Sequence, residues 1–359
     1  MESIKKFIDY LEDNGLYPDF PVIEDGVNEP ICYISKERYL MFCSNNYLGL
    51  TENKNVKDAG VNSIKKYGMG PGGSRVISGN VEIIEALEKN ISKLTNTEDC
   101  LTFPTGYMAN IAVFNAMLNP FMNDLPFKSS ESVVISDEFN HGSIVDGIKL
   151  ANVTKFIYKH NDFKDLEAKL NQAGNYPNKL VVTEGVFSLE GTITNLKDLL
   201  KITKKYKAKL MIDDAHGIGI VGSHGGGVVD LYNCSNEVDI LMGCMDKAFG
   251  GTGGFLCGKS SLIKFLRIAS RSSLLSSAIP TVMAGAMNES VNQILSSQKL
   301  IIELYKKANY LRTGLKKKGF RILGNDKIPA IALYLGEEKL GLKFSRILFD
   351  NKVFCPLIR

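Results

Sequence analysis

No run of this sequence approaches the ~18 consecutive apolar residues that a membrane-spanning helix needs. The N-terminus, Met1-Glu2-Ser3-Ile4-Lys5-Lys6-Phe7, lacks the apolar core of a secretory signal. Cys-x-x-Cys pairs are missing as well. The seven cysteines are scattered and odd in number, which excludes a simple disulfide framework and predicts reduced thiols in a cytoplasmic protein. Neither sign of charge dominates: 43 Lys and Arg against 39 Asp and Glu leave +4, spread along the chain. That is no footprint for nucleic acid. Internal repeats and low-complexity tracts are absent too. Histidine is scarce, with only His141, His160, His216 and His224, so the setting of each is informative.

What is present is a 359-residue chain, 44% hydrophobic and 23% charged, with core enough for one large or two ordinary domains. Residues 1–16 read as an amphipathic helix, with Ile4, Phe7, Ile8 and Leu11 at helical spacing. Residues 31–34 and 39–42 read as a hairpin. From residue 99 on, short apolar strands at 99–103, 132–136, 153–158, 179–185, 209–214, 238–242 and 255–257 alternate with helices. This pattern predicts an α/β fold, a mostly parallel sheet sandwiched by helices, with ligands at the carboxyl ends of the strands. Asp137, Glu184, Asp213 and Lys247 fall at or just after strand ends and should share one rim. Past about residue 290 the pattern changes to a long helix through 318, a strand pair near 320 and 330, and another helix. The expected division is an N-terminal arm and hairpin over 1–50, a large domain over 51–285, and a small α+β C-terminal domain over 286–359.

One stretch stands out, residues 238–255, where an apolar strand delivers Lys247 into a bed of five glycines. A lysine placed this way can act as a Schiff-base nucleophile once its pKa is lowered; the plain alternative is a surface lysine in a turn. A second glycine-rich loop spans 67–80 and carries Arg75. At Thr105-Gly106-Tyr107 a strand meets a helix, and the free N–H groups there offer an anion site. Two formal matches are set aside. Residues 253–260 fit the P-loop pattern, but Phe255-Leu256-Cys257 read as a buried strand where a phosphate loop should be exposed. Residues 217–222 fit G-x-G-x-x-G without the flanking strand and helix that a dinucleotide site needs.

Asp213 and His216 lie three residues apart at one turn, so both can touch one flat ligand. A carboxylate keeps a ring nitrogen protonated. One imidazole N–H can bond a phenolate oxygen, and a second imidazole, His141, can stack. With Lys247, and with Thr105, Gly106 and Tyr107 as a phosphate cradle, these are the groups that pyridoxal 5'-phosphate (PLP) asks of a protein. Singly, Asp213 reads equally as a cap and each histidine as a structural one. No metal is called for.

At this point the motifs are recognisable: Ser44-Asn45-Asn46-Tyr47-Leu48-Gly49, Gly72-Gly73-Ser74-Arg75, Thr105-Gly106-Tyr107-Met108-Ala109-Asn110, Asn140-His141-Gly142-Ser143, Thr183-Glu184-Gly185-Val186-Phe187-Ser188, Asp213-Asp214-Ala215-His216-Gly217 and Lys247-Ala248-Phe249-Gly250. From about residue 40 onward the chain resembles the α-oxoamine synthases, PLP-dependent acyltransferases of fold type I. The resemblance implies that Lys247 holds the cofactor, Asp213 pairs with the ring nitrogen, His216 bonds the ring oxygen and His141 stacks. Thr105, Gly106 and Tyr107 would hold the phosphate, and Ser188 would lie near the ring oxygen. Ser276 and Ser277 would reach the phosphate of a neighbouring subunit in a homodimer. Asn45 and Arg359 would bind the amino acid's carboxylate. The implied reaction is decarboxylative condensation of glycine, alanine or serine with an acyl thioester, either acyl-CoA or an acyl-carrier protein. Lys247 would remove the Cα proton, and the product would be an α-amino ketone. An aminotransferase on the same fold and a catalytically impaired PLP-binding subunit remain as other readings.

Three departures qualify the resemblance. Cys244 stands where the family usually has Thr or Ser at the phosphate. Asp246 precedes Lys247 where the family has a small residue, and pointing inward it would raise the lysine's pKa. In the family, the arginine matching Arg359 is followed by a Pro-rich turn, a strand and a helix, so either a short native chain or a missing C-terminal segment is expected. The glycines at 250–254 look closer to the palmitoyltransferase and ketobutyrate-ligase branches than to the oxononanoate branch.

Overall fold

A computed structural model describes all residues except 18, 19, 27–29, 123, 125 and 359. Packing divides the chain into two compact units, one formed by residues 1–44 with 336–359 and the other by residues 45–335. This division differs from the expected boundaries. The segment 286–335 packs with the large unit, and the N-terminal and C-terminal segments form one small unit together.

In the large unit, seven strands form one sheet: β1 (Asp99–Phe103), β2 (Ser132–Asp137), β3 (Thr154–Tyr158), β4 (Asn178–Glu184), β5 (Lys209–Asp213), β6 (Ile240–Cys244) and β7 (Gly254–Gly258). The order across the sheet is β1-β7-β6-β5-β4-β2-β3. Only β7 runs antiparallel to its neighbours, so the α/β, mostly parallel expectation holds. The central strands are buried on both faces, which is why they read as unbroken apolar runs. Alternate residues feed opposite cores: Val181, Leu210 and Ile212 pack into one, and Leu180, Val182 and Met211 into the other. Because β6, β5, β4 and β2 are adjacent and parallel, their carboxyl ends form a single edge. The Asp213 and Glu184 Cα atoms are register partners there.

Two expectations fail locally. The long helix past residue 290 is two helices, Thr281–Ser296 and Lys299–Lys317, broken at Ser297 and Gln298. The strand pair near 320 and 330 reduces to a single bridge between Ile322 and Leu333. In the small unit, three antiparallel strands, Ile23–Asp25, Ile31–Ile34 and Glu37–Met41, are extended by Val353–Phe354, which pairs parallel to the last of them. Cys32, Ile34 and Tyr39 form its core against Phe349 and Phe354. Among the described residues no helix is long and apolar enough to cross a membrane.

Candidate active site

Lys247 follows the end of β6, and its side chain is 12% exposed. Burial pulls its pKa down, but the acidic groups around it, Asp246 and Asp213 among them, outweigh that and hold the ammonium above its ordinary range. The turn that carries it is fixed by three backbone bonds: Met245 N–H to Gly253 O (2.8 Å), Gly251 N–H to Met245 O (2.9 Å) and Gly250 N–H to Lys247 O (3.0 Å). The glycines around it are not open room for a ligand. A Cβ on Gly250 would strike the Thr51 backbone, one on Gly251 Met287, and one on Gly254 the Gly106 backbone. They allow protein to pack against protein, and Gly250 also needs its positive φ of 75°.

Asp213 ends β5 and is 4% exposed. Its Oδ2 accepts the Asn110 Nδ2–H (2.8 Å), and Oδ1 accepts the Ala215 N–H (3.1 Å). Burial raises its pKa, opposed by those two donors, Lys247 and His141. The Asn110 amide also donates to Ser143 Oγ (2.8 Å), which lies 2.7 Å from His141 Nδ1. A hydrogen-bonded line therefore joins the buried carboxylate to His141. The Ser143 N–H reaches the same Nδ1 (3.2 Å), so this nitrogen is the acceptor and the ring caps the helix Gly142–Ala151. The His141 backbone N–H binds Glu184 Oε1 (2.8 Å). Burial and then the Asp213 charge push Glu184 well above the usual carboxylate range, favouring its neutral acid.

His216 is partly buried, and its Nδ1 lies 2.8 Å from the Tyr47 hydroxyl. Burial, then Lys247 and His141, push its pKa down to about 3, so the imidazole is neutral. Burial keeps the Tyr47 phenol protonated. The hydroxyl therefore donates to Nδ1 and leaves the hydrogen on Nε2, which fixes the tautomer.

Thr105 caps the helix Gly106–Leu118, its Oγ1 accepting the Met108 N–H (3.2 Å). The N–H groups of Gly106 and Tyr107 precede the first intrahelical acceptors and point outward from the helix start. The Tyr107 ring turns aside, its hydroxyl bound to Asp146. Cys244 presses its sulfur against the same helix start, where a Cβ on Gly106 would collide with it. Burial pushes the thiol up, so it remains S–H.

The structure thus gathers Lys247, Asp213, His216 and His141 on one rim, beside Thr105, Gly106, Tyr107 and Cys244. Ser188 is partly buried in the turn beyond β4 and makes no bond to this set. Ser276 and Ser277 lie on a connector whose Ala278 N–H binds Gly73 O (3.0 Å), and within one chain they do not join the rim. Asn45 is exposed, and Arg359 lies outside the described residues. Arg75 of the glycine-rich loop turns into the fold. It forms a buried pair with Glu88, Nη1 to Oε1 at 2.6 Å and Nη2 to Oε2 at 3.0 Å. Gly217, from the discarded G-x-G-x-x-G match, makes room for the buried Asp214 carboxyl, as do Gly185 and Gly227. The P-loop match falls on strand β7.

The sequence assigns no role to Tyr47, Asn110 or Ser143, and to Glu184 only a place on the rim. Tyr47, Asn110, Ser143 and Glu184 sit inside the recognised motifs, and that was the only available signal. As a donor set, the rim suits pyridoxal phosphate: an amine, a buried carboxylate, an imidazole N–H, and helix-start N–H groups for an anion.

The model of the family "Aminotransferase class I and II" matches residues 37–359. The 8-amino-7-oxononanoate synthase of Thermosipho melanesiensis is 36% identical over 353 residues, covering 98% of this chain and 87% of that protein. That of Petrotoga mobilis is 36% identical over 359 residues, with 99% and 88% covered. Among solved structures, serine palmitoyltransferase from S. paucimobilis with bound PLP–myriocin gives a TM-score of 0.91 at 26% identity, covering 99% of this chain and 90% of that one. The chain belongs to the aminotransferase class I and II family, in its α-oxoamine synthase branch.

Proposed function

We propose that this protein condenses a small amino acid (glycine, alanine or serine) with an acyl thioester, acyl-CoA or an acyl-carrier protein, using pyridoxal 5'-phosphate. CO2 and the free thiol leave, and an α-amino ketone is formed. The observation that carries this reading is the convergence of Lys247, Asp213, His216 and His141 on one strand rim beside the helix start at Thr105–Tyr107. The relatives' names, an oxononanoate synthase and a serine palmitoyltransferase, support the reaction class.

Bound at this site, the cofactor supplies an aldehyde for covalent attachment and a ring that accepts electrons. Lys247 is the attachment point and, once displaced by the amino acid, the base nearest the Cα proton. Asp213, steadied by Asn110 and the Ala215 N–H, gives the ring nitrogen its counter-charge. His216 presents Nε2–H to the ring oxygen because Tyr47 holds the other nitrogen. His141 covers the ring. Thr105, Gly106, Tyr107 and Cys244 surround the phosphate, and Ser188 supports the ring oxygen. Asn45 and Arg359 bind the substrate carboxylate.

We place Ser276 and Ser277 at the phosphate of a second copy in a homodimer. Val76, Ile77 and Leu275 are 64%, 82% and 78% exposed around the Gly73–Ala278 contact, an apolar surface that favours such a partner. The cytoplasm is the compartment that suits seven free thiols.

Adding pyridoxal phosphate should produce the visible absorbance of the lysine-linked cofactor, and Lys247→Ala should lose it. No absorbance change in the unmodified protein sinks the reading. Thiol release and CO2 that both require the amino acid then distinguish condensation from amino-group transfer.

A further inference from the structure

The Lys247 amine touches one carboxylate among the described residues. Asp246 Oδ2 lies 3.4 Å and Oδ1 3.5 Å from Nζ. The two residues are consecutive, on the turn whose backbone is fixed by the Met245, Gly250 and Gly251 hydrogen bonds. The pair is therefore built into the turn and is not a chance approach of two long side chains. It is also asymmetric: the lysine side chain is 12% exposed and the aspartate 47%. One end sits in the site and the other reaches solvent.

The other groups facing the amine are Asp213 from β5, Cys244 from the end of β6, His216 from the turn after β5, and His141 from a helix start. Tyr47 stands behind His216. Asp213 is committed to Asn110 and the Ala215 N–H. Burial keeps Cys244 and Tyr47 protonated and His216 neutral. Asp246 is the carboxylate in contact with the amine, and it also meets the Cys244 thiol.

We propose that Asp246 is a positioning residue that holds Lys247 as an ammonium ion in the cofactor-free site, withholding the amine until the pair opens. This rests on the reading of Lys247 as the attachment point. Attack on an aldehyde needs the neutral amine. A carboxylate at this distance favours the charged form, and the half-exposed position of Asp246 moderates the effect. The expected size is about tenfold in free amine at fixed pH.

The test does not depend on the cofactor. Cofactor-free protein is labelled with trace acetic anhydride across a pH series, and Lys247 acetylation is read by peptide mass. Asp246→Asn, nearly isosteric and neutral, should shift the Lys247 profile to lower pH and label about tenfold faster on its rising limb. Asp246→Glu should restore the original profile. An unchanged profile in Asp246→Asn, or the same shift in both variants, overturns the proposal. A parallel series with pyridoxal phosphate should show faster lysine-linked absorbance in Asp246→Asn at neutral pH. If that absorbance forms in none of the three proteins, the cofactor reading fails while the acetylation profiles still decide the role of Asp246.

Discussion

At the scale of single residues, the Tyr47 hydroxyl matters because the imidazole it holds has two nitrogens and only one hydrogen. Tyr47→Phe keeps the ring against His216 but frees the tautomer. A loss of about tenfold in kcat is expected, near the worth of one buried hydrogen bond, with thermal unfolding little changed. Comparing kcat with the melting temperature checks both. His216 itself sets an acid-side limit. Its folded pKa of about 3 lies below the unfolded value of about 6.5, so the folded state binds fewer protons. The His216 contribution to stability is therefore full above about pH 6.5 and is lost as pH falls from there. Melting curves of cofactor-free protein should show this slope, and His216→Gln should flatten it. Lys247, Asp213 and His216 were legible in the sequence because their chemistry is rare in such a setting and strand ends announce where they go. Tyr47 and Asn110 were not, because their partners lie 169 and 103 residues away and nothing local marks a tyrosine or asparagine for such contacts.

At the scale of elements, the glycine-rich loop at 67–80 is held by Arg75, whose partner Glu88 also accepts the Thr102 N–H (2.8 Å) and Oγ1–H (2.9 Å). One carboxylate thus ties a loop, a helix and β1. Glu88→Gln leaves the buried guanidinium without its counter-charge and should cost about 3 kcal/mol, read from the midpoint of urea unfolding. The rim carries an opposing cost at Asp214. Burial and then the Asp213 charge raise its pKa well above the usual range, against the Val228 N–H (2.6 Å). The folded state binds that proton more tightly, so stability falls as pH rises past the ordinary carboxylate range. Asp214→Asn should flatten the decline in melting temperature from about pH 5 upward. The strands of the central sheet were readable because burial on both faces writes them as apolar runs. The helix break at Ser297 and Gln298 was not, since neither glycine nor proline marks it. The Ile322–Leu333 bridge is a single contact in a segment too irregular for any period to show.

At the scale of the whole molecule, the apolar surface at Val76, Ile77 and Leu275 predicts self-association. Ile77→Asp should shift the protein toward the monomer in sedimentation, and with it weaken cofactor retention if Ser276 and Ser277 serve a second copy. The small unit has a different consequence. Its strand Glu37–Met41 pairs with Val353–Phe354, and Tyr39 meets Lys352, 313 positions further on. On the ribosome, the early hairpin must wait through the synthesis of the whole large unit for its last strand. Closing so long a loop costs little more at equilibrium than closing a moderate one, but such distant pairing is slow. The hairpin region is therefore the part of the nascent chain most in need of protection, and its sheet should be the last to resist protease during refolding.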